Sequence, residues 1–181
     1  MTAHEFDLIV IGAGAVGENV ADYATKGGLK VALVEAELVG GECSYWACMP
    51  SKALLRAGAV LRAGLDVDGA RQAIAGGPDP LGVLRRRDAI THDWDDSSQA
   101  SWVDSAGIEL VRGHAVFTGP KRLTVTASDG TVTELVATHA VAVSTGSAAL
   151  LPDIPGLAEV NPWTSREATS SKHVPASLAI L

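Results

Sequence analysis

The chain has 181 residues with 14 basic and 21 acidic side chains, a formal net charge of -7 and a pI of about 5.1; this balance excludes a general nucleic-acid or anionic-membrane surface. With 47% hydrophobic and 19% charged residues, the composition fits one folded domain, or one with an appendage, and not a disordered acidic chain. No apolar run approaches the roughly 20 residues that span a bilayer, and Met1 to Asp7 does not read as a secretory signal, so the expected compartment is the cytoplasm.

The chain opens by alternating strand and helix. Phe6 to Ile11 reads as a buried parallel strand, Ala15 to about Lys26 as a helix stopped by Gly27-Gly28, and Lys30 to Val34 as a second buried strand. Together these predict a βαβ unit. Pro50 to about Gly64 reads as a helix with Ala53, Leu54, Ala57 and Leu61 on its apolar face. Gly76 to Pro80 reads as a loop, and an irregular helical segment is expected from about Leu81 towards Ala106.

From Ile108 the period changes to that of strands: Ile108 to Phe117, Arg122 to Ala127, Thr131 to Val136 and His139 to Ser144, with Asp129-Gly130 as a hairpin signal. The Pro-, Ser- and Thr-rich stretch from Pro152 to Pro175 reads as a connection. Ser177 to Leu181 reads as the start of a further apolar strand.

Gly12-Ala13-Gly14-Ala15-Val16-Gly17 is a G-x-G-x-x-G motif between a predicted strand and a predicted helix. Its first glycine allows a tight turn, its second lets the backbone approach a pyrophosphate, and its third lets helix and strand pack closely. The helix N-terminus then offers N–H groups and a favourable dipole to the phosphates. Glu35, at the end of the second strand, suits ribose hydroxyls and would repel a 2′-phosphate, which points to FAD or NAD.

Cys43 and Cys48 are at i and i+5. In a regular helix that spacing separates the Cα atoms by roughly 8–9 Å, beyond the reach of a disulfide at about 7 Å. A bonded pair therefore requires a distorted or non-helical segment, and Pro50 fits a helix that begins near it. A helix N-terminus and nearby Lys52 would favour thiolate. The residues alone leave redox chemistry, a thiolate metal site and inert structural cysteines open; the histidines at 4, 92, 114, 139 and 173 are scattered. His92-Asp93-Trp94-Asp95-Asp96 reads as an acidic solvated face rather than a metal site.

These residues resemble the two-cysteine flavoprotein disulfide oxidoreductases, which include dihydrolipoamide dehydrogenase, glutathione reductase and mercuric reductase. The likeness begins at Asp7-Leu8-Ile9-Val10-Ile11-Gly12 and is most specific at Gly40-Gly41-x-Cys43-x-x-x-x-Cys48-x-Pro50-Ser51-Lys52. It continues at Ser144-Thr145-Gly146-Ser147, at Ile154-Pro155-Gly156, and at Trp163-Thr164-Ser165 with Val174-Pro175. It departs at Glu42, where the family has Thr, and at Tyr45 and Ala47, where it has Asn and Gly; Trp46 lies between them.

The resemblance implies an α/β fold: a Rossmann-like FAD-binding domain with a parallel sheet and helices, plus a small antiparallel β-meander, ending before an NAD(P)H domain. Its expected division is 1–150 as the FAD-binding domain, with a helical insert at about 65–106 and the meander at 108–144, and 151–181 as a linker and first strand of a nicotinamide domain. It implies Cys43 as the interchange thiol, Cys48 as the flavin-side thiol and Lys52 near the flavin. The expected cofactor-binding set is Gly12, Gly14, Ala15, Val16, Gly17, Glu35, Ala36, Gly41, Glu42, Lys52, His114, Ala115, Ser144, Thr145, Gly146 and Ser147. For His114 and Ala115 the backbone is the expected contact. The expected cofactor is FAD, with NAD(P)H used only in a complete protein; the expected substrate is a small-molecule or protein disulfide, or a soft metal ion. A homodimer is expected at full length, and the chain itself is expected to be a truncated piece.

Overall fold

A computed structural model describes residues 3–181. The chain forms two compact units, one combining the chain through Cys43 with Asp95–Ser147, the other combining Ser44–Trp94 with Ala148–Leu181.

The first unit is built on one six-stranded sheet. Its strands are β1 (His4–Ile11), β2 (Val31–Glu35), β3 (Glu109–Arg112), β4 (His114–Gly119), β5 (Arg122–Thr126) and β6 (Val132–Val143), in the order β3-β2-β1-β6-β5-β4. The pairs β1–β2, β2–β3 and β1–β6 are parallel, and β4–β5 and β5–β6 are antiparallel. The expected Rossmann-like parallel sheet and antiparallel meander are thus both present, fused through β6 into one surface. Helix α1 (Ala15–Lys26) follows β1, and Ser97–Ser105 is also helical.

Strand alternation explains the two cores. In β2, Ala32 and Val34 pack with Phe6, Ile9, Leu123, Val125 and Leu135, whereas Val31 and Leu33 pack with Val10, Ala21, Val103 and Ile108. A strand buried on both faces needs a continuous apolar run, and Val31 to Val34 supplies one.

Four expectations are corrected. Ile108 to Phe117 is not one strand, because Gly113 takes φ +142 and a Cβ there would meet the Thr126 carbonyl carbon at 2.7 Å. The chain turns at Gly113, so β3 joins β2 while β4 pairs with β5. Conversely, Thr131 to Val136 and His139 to Ser144 merge into β6. The polar Thr138-His139 marks a register irregularity against β1, not a break. Thr138 Oγ1 there donates to Asp7 at 3.2 Å.

The helix expected from Leu81 to Ala106 is two helices that fall in different units. The break is at His92, Asp93 and Trp94, all with positive φ. Ser177 to Leu181 forms no strand; it is exposed and irregular.

The second unit holds α3 (Cys48–Leu65), α4 (Pro80–Ile90) and α6 (Ser165–Ser170), and the short α2 (Gly41–Tyr45) crosses the boundary between units. The helix Ser97–Ser105 is accordingly α5. Pro80 opens α4 behind the Asp79 carboxylate, which accepts from the Leu81 and Gly82 amides at 3.1 and 3.0 Å. Thr164 and Glu167 form a reciprocal capping box on α6. Arg87 on α4 is fully buried: Nε donates to Asp88 at 2.7 Å, and the terminal nitrogens donate to the Thr169 and Ser171 carbonyls.

Candidate dinucleotide site

The carboxyl ends of three neighbouring parallel strands come together in the first unit, where ligands of open α/β sheets bind. The Gly12 amide donates to Val34 O at 2.8 Å and the Ser144 amide to Ile11 O at 2.8 Å. The turn after β1, the end of β2 at Glu35 and the end of β6 at Ser144 are thereby side by side.

Each glycine of the motif has a separate cause. Gly12 sits at φ +97, and a Cβ on it would stand 2.8 Å from the Ser144 carbonyl carbon. A Cβ on Gly17 would overlap the Gly12 carbonyl oxygen, so only glycine lets α1 pack there. Gly14 differs: its nearest neighbour would be Gly41 Cα at 3.9 Å, which leaves open space for an approaching ligand. Gly41, at φ +55, would bring a Cβ to 2.8 Å from Gly14 Cα. A Gly14–Gly40 bridge, with the Gly40 amide donating to Ala13 O at 2.7 Å, holds these two backbones together.

Gly14 caps α1 without a side-chain hydrogen bond. The first intrahelical bond runs from the Glu18 amide to Gly14 O at 3.0 Å. The amides of Ala15, Val16 and Gly17 precede it and are the donors a helix N-terminus offers an anion. Val16 and Ala15 are exposed.

Glu35 is positioned by the same turn. Its two carboxylate oxygens accept from the Ala13 and Glu37 amides, each at 2.7 Å. An ionised carboxylate accepts about four hydrogen bonds, so lone pairs remain for ribose hydroxyls. Ala36 beside it is exposed. The cradle therefore fits a dinucleotide: small residues where a backbone must be approached, N–H groups for phosphates and a carboxylate for a ribose.

The remaining expected residues divide between the units. His114 is exposed on β4 and Ala115 half-buried against the core; Ser144 is half-buried, while Thr145, Gly146 and Ser147 are exposed. Gly146 has φ +69 with open space around it. Glu42 and Cys43 are half-buried on α2. In the second unit, Cys48 is half-buried at the first turn of α3, and Lys52 is exposed one turn on. The helical path between the cysteines is interrupted at Trp46 and Ala47, and no disulfide joins them. Trp46 lies beneath the Arg166 guanidinium at 4.1 Å and against Tyr45 at 5.8 Å between ring centroids.

Sequence reading missed five contributors. Asp96, assigned there to a solvated acidic face, accepts from the Val39 amide at 2.7 Å and pairs with Arg112 at 2.7 Å. Arg112 also donates to Glu37 O at 3.0 Å, so together they brace the loop after Glu35. No local pattern announces a partner so distant in sequence. Glu18, on the first turn of α1, is pushed up to about 7, first by burial and then by the negative charge of Glu35. Its place directly after the third glycine was the available signal. Trp94 and Thr169 hold carbonyls between the cysteines, described below. Among the described residues, no group of three or more His, Cys, Asp or Glu is placed to hold a metal ion, and no helix is long and apolar enough to cross a membrane.

The chain is similar to known proteins over nearly its whole length. The chain is 31% identical to a mercuric reductase of Staphylococcus aureus over 98% of its own length and 31% of the relative's. It is 35% identical to a dihydrolipoyl dehydrogenase of Chlorobaculum parvum over 98% of its length and 38% of the relative's. The chain thus spans about a third of the length of the curated relatives it matches. In fold it is similar to a mutant of the HOCl-induced flavoprotein disulfide reductase RclA from Escherichia coli, solved as a Cu(II) complex. The TM-score is 0.76 at 21% identity, over 95% of this chain and 36% of that one. That likeness speaks for the fold alone. The pyridine nucleotide-disulphide oxidoreductase family matches residues 6–181, and the chain belongs to that family.

Proposed function

We propose that this chain is the FAD-binding portion of a flavoprotein disulfide oxidoreductase that carries electrons from NAD(P)H through FAD to the Cys43/Cys48 pair. The observation that carries the reading is the glycine cradle at Gly12, Gly14, Gly17 and Gly41, with Glu35 at its edge. The names of the relatives support the reaction class.

In this reading the amides of Ala15 and Val16 take the pyrophosphate and Glu35 takes the ribose hydroxyls of the adenosine half. Ala36 and the backbone of His114 and Ala115 line the adenosine side, Gly41 and Glu42 continue the cradle beside the phosphates, and Ser144 to Ser147 close the returning edge. Lys52 supplies positive charge for a reduced flavin. FAD supplies, when bound, a two-electron relay between a nicotinamide and the thiols.

The thiol chemistry belongs to the chain itself. Cys43 thiolate attacks a substrate disulfide, forming a mixed disulfide and releasing one substrate thiolate, which takes up a proton. Cys48 thiolate then attacks the Cys43 sulfur and releases the second substrate thiol. The dithiol becomes a disulfide as the substrate disulfide becomes two thiols. The substrate is a small-molecule or protein disulfide, or a soft metal ion reduced at the same pair.

We assign 1–150 to FAD binding and 151–181 to the approach to a nicotinamide domain, in a cytoplasmic homodimer. Incubating the chain with FAD and removing unbound flavin by gel filtration tests the reading. Retained flavin approaching one per chain is expected; a colourless protein would refute it.

A further inference from the structure

Two carbonyl oxygens between the cysteines have donors from outside their own helices. In a continuous helix the Trp46 carbonyl would accept from the amide of residue 50, but that residue is proline and has no N–H. The Thr169 hydroxyl donates to it instead at 2.7 Å. Thr169 Oγ1 is also 2.9 Å from Ser165 O and 3.3 Å from Arg166 O. With one proton to donate, the shortest of the three contacts is the one to Trp46. The preceding carbonyl, of Tyr45, accepts from the indole N–H of Trp94 at 3.1 Å.

Both donors are themselves held. The Trp94 ring packs against two cations, the Arg87 guanidinium at 5.1 Å and the Lys172 ammonium at 4.6 Å from its centroid. Arg87 is fully buried and donates to the carbonyls of Thr169 and Ser171, tying the Thr169 segment to α4. Lys172 also pairs with Asp88 at 3.2 Å. The Trp46 ring is pressed under Arg166. Tyr45 is buried completely.

We propose that Thr169 and Trp94 are positioning residues that hold the chain between Cys43 and Cys48 in its interrupted form and so set how readily that pair closes to a disulfide. This rests on the dithiol function proposed above. With the clamp gone, the segment between α2 and α3 is released to sample more conformations, most of which hold the two sulfurs too far apart to bond. Those extra conformations are open to the dithiol and closed to the disulfide, so losing the clamp favours the dithiol. The chain departs from the family's usual residues at Glu42, Tyr45 and Ala47, and the clamp accounts for Tyr45: its ring is buried and its carbonyl is bonded.

The test equilibrates the whole chain with mixtures of reduced and oxidised dithiothreitol. Protein dithiol plus oxidised dithiothreitol gives protein disulfide plus reduced dithiothreitol, and the closed fraction is counted by alkylation and mass measurement. The expected result is that Thr169→Val lowers the equilibrium constant for closure by about tenfold, the size of one lost hydrogen bond. Thr169→Ser should restore it. Trp94→Phe keeps an aromatic ring against the cations and removes the N–H donor, and it should lower the constant similarly; it decides the matter if Thr169→Val does not fold. Equal constants for wild type and folded variants overturn the clamp while leaving the dithiol function standing. A wild-type chain that forms no intramolecular disulfide overturns both.

Discussion

Gly41 and Gly14 meet almost backbone to backbone: a Cβ on Gly41 would stand 2.8 Å from the Gly14 α-carbon and 3.4 Å from its nitrogen. The contact joins the chain just before the first cysteine to the Gly12–Gly17 turn. It makes Gly41 part of the proposed dinucleotide cradle, although it lies outside the G-x-G-x-x-G motif.

Gly41→Ala should therefore act on fold and ligand together. The new methyl meets backbone, which cannot swing away, and φ +55 is strained for alanine. A loss of about 1–3 kcal/mol is expected, read as a fall in thermal midpoint of several degrees with weakened FAD retention. Unchanged melting and unchanged flavin binding would show that the close approach has no consequence.

Glu35→Ala removes the acceptor for the Ala13 and Glu37 amides as well as the proposed ribose contact. The cost in stability is about 1–3 kcal/mol for leaving part-buried donors unpaired. FAD affinity should drop by about tenfold or more from the lost charged hydrogen bonds. Calorimetric titration of the variant with FAD measures the second effect separately from the first.

Glu18 gives a pH signature. Its carboxyl is raised from 4.5 to about 7 in the folded chain, so between these values the folded state holds a proton that the unfolded state has released. Stability should fall as pH rises through that window and level off above it. Glu18→Gln removes the effect. Relative to wild type, the variant should gain about 1–2 kcal/mol between pH 5 and 8, a value reduced for the solvent still reaching the group. Parallel melts of the two proteins across that range would show a constant gap if the assignment is wrong.

How much of this was legible beforehand follows from the range of the forces involved. The βαβ unit and its glycines are local patterns, and α1 was read from Ala15 to Lys26 as observed. Glu35 was legible because the strand–helix–strand geometry fixes where the second strand ends. The break at Gly113 was not, since its positive φ is imposed by β5 packing against it. The single long β6 was hidden for the opposite reason: Ala137 and Thr138 fall between two predicted strands, yet Asp7 supplies Thr138 with a partner from the neighbouring strand. Asp96, Trp94 and Thr169 act on residues far along the chain, where no spacing rule operates.

Arg87→Leu tests the core of the second unit. The substitution deletes donors to Asp88 and to the carbonyls of Thr169 and Ser171, in a fully buried position. Asp88 keeps Lys172 as a partner, which limits the damage. A loss of about 2–4 kcal/mol is expected, and denaturant unfolding followed by Trp fluorescence would register it. A change below about 0.5 kcal/mol, the usual range for surface substitutions, would contradict the packing described.

A crystal structure of the chain with FAD tests the central claim most directly. The account predicts the pyrophosphate on the Ala15 and Val16 amides, ribose hydroxyls on the Glu35 carboxylate and the flavin ring beside Cys48. Flavin density away from the Gly12–Gly17 turn, or a ring remote from both sulfurs, would contradict it.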